Sequence, residues 1–383
     1  MTSAADVIVV GGGIVGTSAS FFLRRRGLSV ILLERDFVGQ QASGVNFGNV
    51  RRQGRPAFEI PIANRAIATW RRMRELTGSD VEYLQAGHMR ICYRERPELV
   101  QRFHDHAREV GPLGLHLQVL EGAALRERFP WLGPDVIAGS LSPEDGHANP
   151  RLASPAFARA ARRDGAQVLE NTPVRGIESA GEDFEVSAGD GTRYRAPALL
   201  ICAGAWSSAL SARFGEPVPL VTRAPTMSVT EPAPYAIAPS IGVSTPLELE
   251  SVYFRQIPRG NVIIGGSTRG PSYTDERRAP VVPENTLSQL REIRRLAPAL
   301  ARLQLIRVWS GVESYPPDDR PVIGASGRVR GLYYGFGFAG SGFQIGPGVG
   351  ETLAELIATG RSEIDLSPYR VQRFAQGPLA PGS

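Results

Sequence analysis

The sequence predicts an α/β + β fold: a Rossmann-like domain, discontinuous along the chain, interleaved with an antiparallel β-sheet domain. The chain opens with a strand–turn–helix–strand unit whose turn carries the glycines. A strand, a glycine-rich turn and a helix recur near the C-terminus. Between them, from about 218 to 275, lies a proline-rich stretch with strand periodicity.

Each element follows from local pattern. DVIVV (6–10) reads as a buried strand, GGGIVG (11–16) as a turn, TSASFFLRRRG (17–27) as a helix stopped by Gly27, and LSVILLER (28–35) as a second strand. The segment QASGVNFGNVRRQGR (41–55) places small residues ahead of Arg51, Arg52 and Arg55. Apolar residues fall on one helical face over 60–78; residues 83–93 alternate like a strand; 95–111 returns to helix, and 124–132 is a short helix running into a turn. Residues 144–171 give a loop, an alanine-faced helix and a strand, and 184–206 is a hairpin-like run ending in the buried strand ALLICAG. MSVT, VYFRQIP and NVIIGGS are the strands of the β-rich stretch, followed by a helix over 284–300. RGLYYGFGF (330–338) is again strand and VGETLAELIATG (349–360) helix. This order divides the chain into a nucleotide-type domain of 1–80, 145–215 and 305–383, and a second domain of 81–144 and 216–304.

Composition narrows the function. With 42% apolar and 21% charged residues over 383 positions, the chain has enough material for a sizeable core. The formal charge of +5 is spread thinly, without a basic block, which argues against a nucleic-acid partner. All 43 basic residues are arginine, so Schiff-base chemistry on lysine is excluded. Cys92 and Cys202 lie in apolar or strand-like settings without CxxC pairing. They read as buried free thiols in a reducing cytoplasm, and no metal site is expected. No run approaches the roughly 20 apolar residues of a membrane span, and the start lacks the basic region of a signal peptide.

Gly11, Gly13 and Gly16 form GxGxxG between a strand and a helix. The first glycine permits the tight turn, the second lets a pyrophosphate approach the backbone, and the third lets helix and strand pack closely. Glu34, at the end of the second strand, stands where an acid bonds ribose hydroxyls. Arg35 raises the possibility of a 2′-phosphate, but the acid precedes it and argues against one.

The stretches DVIVVGGGIVGTSASFFLRRRGLSVILLER, QASGVNFGN, EDGHANPRLASPAFARAARRDGAQV, LLICAGAWS, WSGVESYPPDDRPVIG and GFGFAGSGFQIGPGVGETLAELIATG resemble the D-amino-acid oxidase-like flavoproteins, in family order over nearly the whole chain. The resemblance implies FAD, with the flavin held beneath a β-sheet roof. It places Ile14 and Val15 of the glycine motif, and Ala42, Ser43, Asn46 and Gly48 of the following loop, along the cofactor. Val174 would meet the adenine side, Ala203 and Gly204 would flank the flavin, Trp206 would also contact the cofactor, and Gly340, Gly342, Phe343 and Gln344 would lie at its far end. Backbone N–H groups of GFQIGPGVG and the helix after it would stabilise negative charge on the flavin.

Departures from better-known members sharpen the reading. Glycine oxidase-like sequences carry a carboxylate-binding arginine where this chain has Glu313, and sarcosine oxidase-like ones a lysine where it has Gln344. No cysteine stands near Gly311 to attach flavin, so the FAD is expected to be non-covalent. The pattern around Glu313 is most similar to flavin subunits of D-hydroxyproline dehydrogenases and opine oxidases, which work with electron-transfer partner subunits; Ser341 stands where that branch has histidine. The expected activity is oxidation of a D-amino or cyclic imino acid by hydride transfer to flavin. The alternatives are a peroxide-forming sarcosine- or glycine-like oxidase and a flavin subunit active only in a complex. The substrate carboxylate would sit on Arg51 or Arg52, with Arg255 a further candidate and Arg55 solvated. Glu313 either receives the substrate's ammonium or its proton, or pairs with an arginine such as Arg320. Tyr253 and Arg255, on one face of a strand, either bind substrate or form a solvated pair; His147 is expected to make a structural hydrogen bond; Tyr315 and Tyr334 either line the pocket or pack.

Overall fold

The fold is that of a computed structural model describing residues 2–375. Its first layer is a six-stranded sheet in the order Val322–Ala325, Leu332–Phe336, Ala198–Ile201, Val7–Val10, Val30–Leu33, Gln167–Leu169. The pairs are parallel except the first. Val7–Val10 and Val30–Leu33 are buried at every position because both faces are covered. Val7 and Val9 pack on the helices Ile14–Arg25, Pro150–Arg163 and Gly342–Thr359. Ile8 and Val10 face the other way, onto a four-stranded sheet that contributes Ile177, Phe184 and Tyr194.

Two helices differ from the sequence expectation. The helix predicted over 60–78 breaks at Arg72 into Ile60–Arg71 and Met73–Thr77. The helix predicted over 349–360 begins at Gly342 and runs to Thr359, so that all of GFQIGPGVG is helix rather than turn. The glycines serve close packing. A Cβ on Gly346 would lie 2.6 Å from Ile14 Cγ2, and one on Gly348 would lie 2.6 Å from the Ile62 carbonyl oxygen. Three helices thus meet nearly backbone to backbone, which offsets the weak helix propensity of glycine.

The second layer is a nine-stranded, mostly antiparallel sheet: Leu305–Ser310, Val221–Pro232, Asn261–Gly270, Val252–Gln256, Ser240–Val243, His88–Tyr93, Val136–Ser142 and Gln118–Glu121, with Glu313–Tyr315 also paired to Val221–Pro232. Leu305–Ser310 and Glu313–Tyr315, grouped with the nucleotide-type domain in the sequence reading, therefore belong to this roof. Their partner strand lies about 80 residues earlier, beyond the reach of local pattern. Cys92 and Cys202 are free and buried. Among the described residues no helix is long and apolar enough to cross a membrane, and no group of three or more His, Cys, Asp or Glu could hold a metal.

Candidate active site

A cavity of about 620 Å³ runs from the C-terminal ends of the parallel strands to the underside of the nine-stranded roof. In an open α/β sheet this is where ligands bind. Gly11 stands at φ +108°, and a Cβ there would collide with the Cys202 carbonyl, so only glycine fits. Gly13, Ile14 and Val15 line the cavity at the helix N-terminus. Gly16 does not: its missing Cβ leaves room for the Gly11 carbonyl and closes the helix on the strand. Both Glu34 oxygens accept backbone N–H groups, from Gly12 at 2.6 Å and Asp36 at 2.8 Å. Burial raises the Glu34 carboxyl, while those donors pull it back. Each oxygen keeps a lone pair for a ligand hydroxyl.

The same end holds Val174, with Thr172, which the sequence reading missed, and Arg35 stacked 4.3 Å from the Trp206 ring. Ala42, Ala203 and Gly204 also line the cavity. Ser43 Oγ accepts the Ile14 N–H at 2.9 Å, tying the loop to the helix start. Asn46 donates to the Ala42 and Ser43 carbonyls and accepts from Gly48 N–H, fixing the loop's turn. Gly340, Gly342 and Phe343 line the far end, at the N-terminus of the helix Gly342–Thr359. Gln344 turns away: it is 1% exposed and donates to the Ala63 carbonyl. A glycine cradle at a helix start, a partly free carboxylate at the second strand and a second helix N-terminus at the far end fit an extended FAD.

Beneath the roof the arginines separate. Arg51 lines the cavity and spends one donor on the Gln53 carbonyl at 2.6 Å. Burial, with Arg55 and Arg90 nearby, pushes its guanidinium down to about 9, which leaves it cationic at neutral pH. Arg52 does not reach the cavity. It is 3% exposed and bonds Asp145, Glu144, Asn64 and the Gly114 carbonyl. Asp145 also accepts the N–H groups of Arg52 and Gln53, both at 2.9 Å. These bonds set the backbone next to Arg51. Arg55, expected to be solvated, is instead buried, because it pairs with Glu59 at 2.9 Å and donates to the Arg51 and Ser341 carbonyls.

Tyr253 lines the cavity, edge-on to Phe47 at 4.8 Å, with its hydroxyl 3.3 Å from the Gly266 carbonyl. Arg255 lies buried behind it, donating to the Phe47 and Ala148 carbonyls with His147 Nδ1 at 3.1 Å, so it binds the loop rather than facing the cavity. Gly48, at φ +83°, leaves the room that Arg255 occupies. Glu313 lines the cavity and accepts the Tyr315 hydroxyl at 2.6 Å; Tyr315 in turn accepts Arg269 Nε at 3.0 Å. Arg320 is not its partner and stacks on Phe58 instead. Tyr334 is buried and donates to Glu216.

Three basic cavity residues beneath the roof escaped the sequence reading: His88, Arg90 and Arg269. His88 Nδ1 lies 2.8 Å from Ser240 Oγ. Burial, then Arg51 and Arg90, hold its ring well below the usual histidine range, so it is neutral. For Arg269, burial opposes the charge, yet Tyr253, Tyr315 and Glu313 outweigh it and hold the guanidinium protonated.

Comparison with known proteins agrees with this geometry. The family model DAO, FAD dependent oxidoreductase, matches residues 6–356. An opine oxidase subunit of Rhizobium meliloti is 30% identical over 382 residues, covering 96% of this chain and 97% of that protein. Mitochondrial sarcosine dehydrogenase of Homo sapiens is 28% identical over 98% of this chain, which spans only 42% of that protein's length. The crystal structure of L-proline dehydrogenase from P. horikoshii superposes with a TM-score of 0.90 at 27% identity, covering 99% of this chain and all of that one. The chain belongs to the DAO family of FAD-dependent oxidoreductases.

Proposed function

We propose that the chain oxidises a D-amino or cyclic imino acid of the D-hydroxyproline or D-proline kind at the carbon bearing nitrogen. The observation that carries this is the pairing, in one cavity, of Arg51, an arginine without a carboxylate partner among the described residues, and a carboxylate, Glu313, beside the FAD cradle. Arg51 anchors the substrate carboxylate through its planar fork. Glu313 holds the substrate nitrogen and accepts its proton, which frees the lone pair that forms C=N as the α-hydrogen leaves with its electron pair. Bound FAD, held non-covalently, supplies the acceptor for that hydride. The Tyr315–Arg269 chain fixes the Glu313 carboxylate while leaving its second oxygen for the substrate. Tyr253 and Phe47 wall the site. Names of relatives point to nitrogen that is secondary: sarcosine, opine and proline enzymes all stand among them.

A second reading concerns the acceptor. The opine oxidase relative is one subunit of its enzyme, which favours a flavin chain that passes electrons to partner subunits. Free buried cysteines suit the cytoplasm. The test is anaerobic bleaching of the bound flavin by D- and L-proline, D-hydroxyproline, sarcosine and glycine. No bleaching by any of them, alone or with partner subunits, refutes the proposal. Arg51→Ala should raise the half-saturating substrate concentration at least tenfold, about 1.4 kcal/mol or more; unchanged saturation removes Arg51 as the anchor. Fast reoxidation by air would identify a peroxide-forming oxidase instead.

A further inference from the structure

The nucleotide end of the cavity is bridged by a segment of the roof that lies outside the cavity itself. The chain leaves the roof strand Asn261–Gly270, crosses residues 271–282 and enters the helix Pro283–Leu296. The two ends of this crossing are pinched together: a Cβ on Gly270 would lie 2.9 Å from Val282 Cγ2. Residues 271–282 therefore form a compact loop with a narrow neck. None of them is buried, so the loop can lift without uncovering core.

Its tip is ordered nonetheless. Tyr273 and Arg278 exchange both backbone hydrogen bonds, at 2.8 and 3.0 Å, and the Arg277 N–H donates to the Thr274 carbonyl at 3.2 Å. Arg277 stands at φ +55°, in the left-handed region that a residue with a Cβ seldom adopts. Two contacts tie this tip to the floor. Trp206 Nε1 donates to the Thr274 carbonyl at 3.1 Å, and the Arg277 guanidinium pairs with the Asp36 carboxylate. Both floor residues serve the cofactor cradle: Trp206 lines the cavity, and the Asp36 N–H holds Glu34 at 2.8 Å.

The same two floor segments already meet through the stack of Arg35 on Trp206. Arg35 Nε also lies 3.4 Å from the second Asp36 oxygen, so Asp36 sits between two guanidiniums. The chain just beyond the strand Val30–Leu33 and the turn Gly204–Trp206 are thus bridged twice, by a side-chain stack and by the loop tip. Phe37, next along from Asp36, lines the cavity while 60% exposed, which sets an opening to solvent beside the bridge.

We infer that residues 271–282 are a clasp on the nucleotide end of the cofactor site, latched by the Arg277–Asp36 pair, and that FAD enters and leaves when the clasp lifts. The roof, which carries the substrate side of the cavity, thereby governs cofactor exchange as well. Arg277 is a positioning residue: it acts through Asp36 and does not line the cavity. The pair is partly exposed, so ionic strength weakens it.

FAD release is followed as the rise in flavin fluorescence after rapid dilution of the holoenzyme. Arg277→Ala should release FAD about threefold faster at low ionic strength, the scale of a partly exposed ion pair. Arg277→Lys should return most of the difference, and added salt should speed the unaltered enzyme more than Arg277→Ala. Adding Arg277→Ala to Asp36→Asn should give no further increase, because the pair is already broken. Equal release by Arg277→Ala and the unaltered enzyme overturns the latch, and so does an additive double variant. Trypsin supplies a second readout on the unaltered chain, since Arg277 and Arg278 are its sites within the clasp. Relative to cleavage after the exposed Arg193, cleavage there should be about fivefold slower with FAD bound than without it. Equal relative cleavage with and without FAD overturns the clasp even where a variant fails to fold. No amine enters either measurement, so the proposed function is tested separately and stands or falls on flavin bleaching alone.

Discussion

Replacing Gly348 by alanine sets two physical effects against each other with opposite signs. In an exposed helix the change would stabilise by about 1 kcal/mol, because alanine loses less backbone entropy. Gly348 is in the helix Gly342–Thr359, where a new Cβ would meet the Ile62 carbonyl oxygen at 2.6 Å, Ala66 N at 2.8 Å and Ala66 Cβ at 3.0 Å. These neighbours are backbone or stiff, and they cannot rotate away. The approach falls nearly an ångström short of ordinary contact, so one helix must move. Overpacking of this kind costs about 1–3 kcal/mol, and with rigid neighbours we take the upper end. The net loss is then about 2 kcal/mol. With an unfolding entropy of about 2.1 cal/mol/K per residue over 383 residues, that lowers Tm by about 2–3 °C. The same shift moves the cavity-lining turn at Gly340–Phe343, so FAD should dissociate more readily. Thermal unfolding of the holoenzyme, followed by far-UV circular dichroism and flavin fluorescence, measures both. A Tm equal to or above that of the unaltered protein would refute the packing argument.

Other outcomes follow from the site. Asp145→Ala leaves Arg52 buried with one half-exposed acidic partner and strips two backbone N–H groups of their acceptor; stability should fall by about 3–5 kcal/mol in denaturant titrations. Tyr315→Phe removes the hydrogen bond to Glu313 and should slow flavin bleaching at saturating substrate at least tenfold with little change in half-saturation, which stopped-flow absorbance separates. His147 is pushed down to about 3 by burial and Arg255, so the unfolded chain takes up a proton that the folded one refuses. Stability should therefore fall as pH drops below about 6.5, at about 1.4 kcal/mol per unit until pH approaches 3. His147→Gln should lose about 2 kcal/mol less than the unaltered protein between pH 7 and pH 5, by urea unfolding.

The nucleotide end was readable because its chemistry is local. Gly11, Gly13, Gly16 and Glu34 lie within one strand–helix–strand unit, and each residue's task follows from its place in that unit. The roof end was not, because side-chain direction there depends on distant partners. Arg51, Arg52 and Arg55 are near-neighbours in sequence, yet Asp145 draws Arg52 inward, Glu59 holds Arg55, and Arg51 alone reaches the cavity. Arg90 left a trace: in HMRICY a charge interrupts an otherwise apolar strand, on the same face as His88. Arg269 left none, standing at a strand end where arginine is commonplace. The helix start at Gly342 was missed because glycine and proline signal a turn when read locally. Contact with two other helices turns the same glycines into packing surface.

Arg255 has a consequence for how the roof can move. Its guanidinium spans from the roof strand Val252–Gln256 to the carbonyls of Phe47 and Ala148 and the ring of His147, bolting the roof to two loops of the floor at one edge. The roof cannot hinge upward there without exposing several buried polar groups together. A second cavity, of about 430 Å³, shares Arg51, Arg269 and Ser341 with the first. Two guanidiniums thus stand in the wall common to both cavities, so an anion in either one meets positive charge.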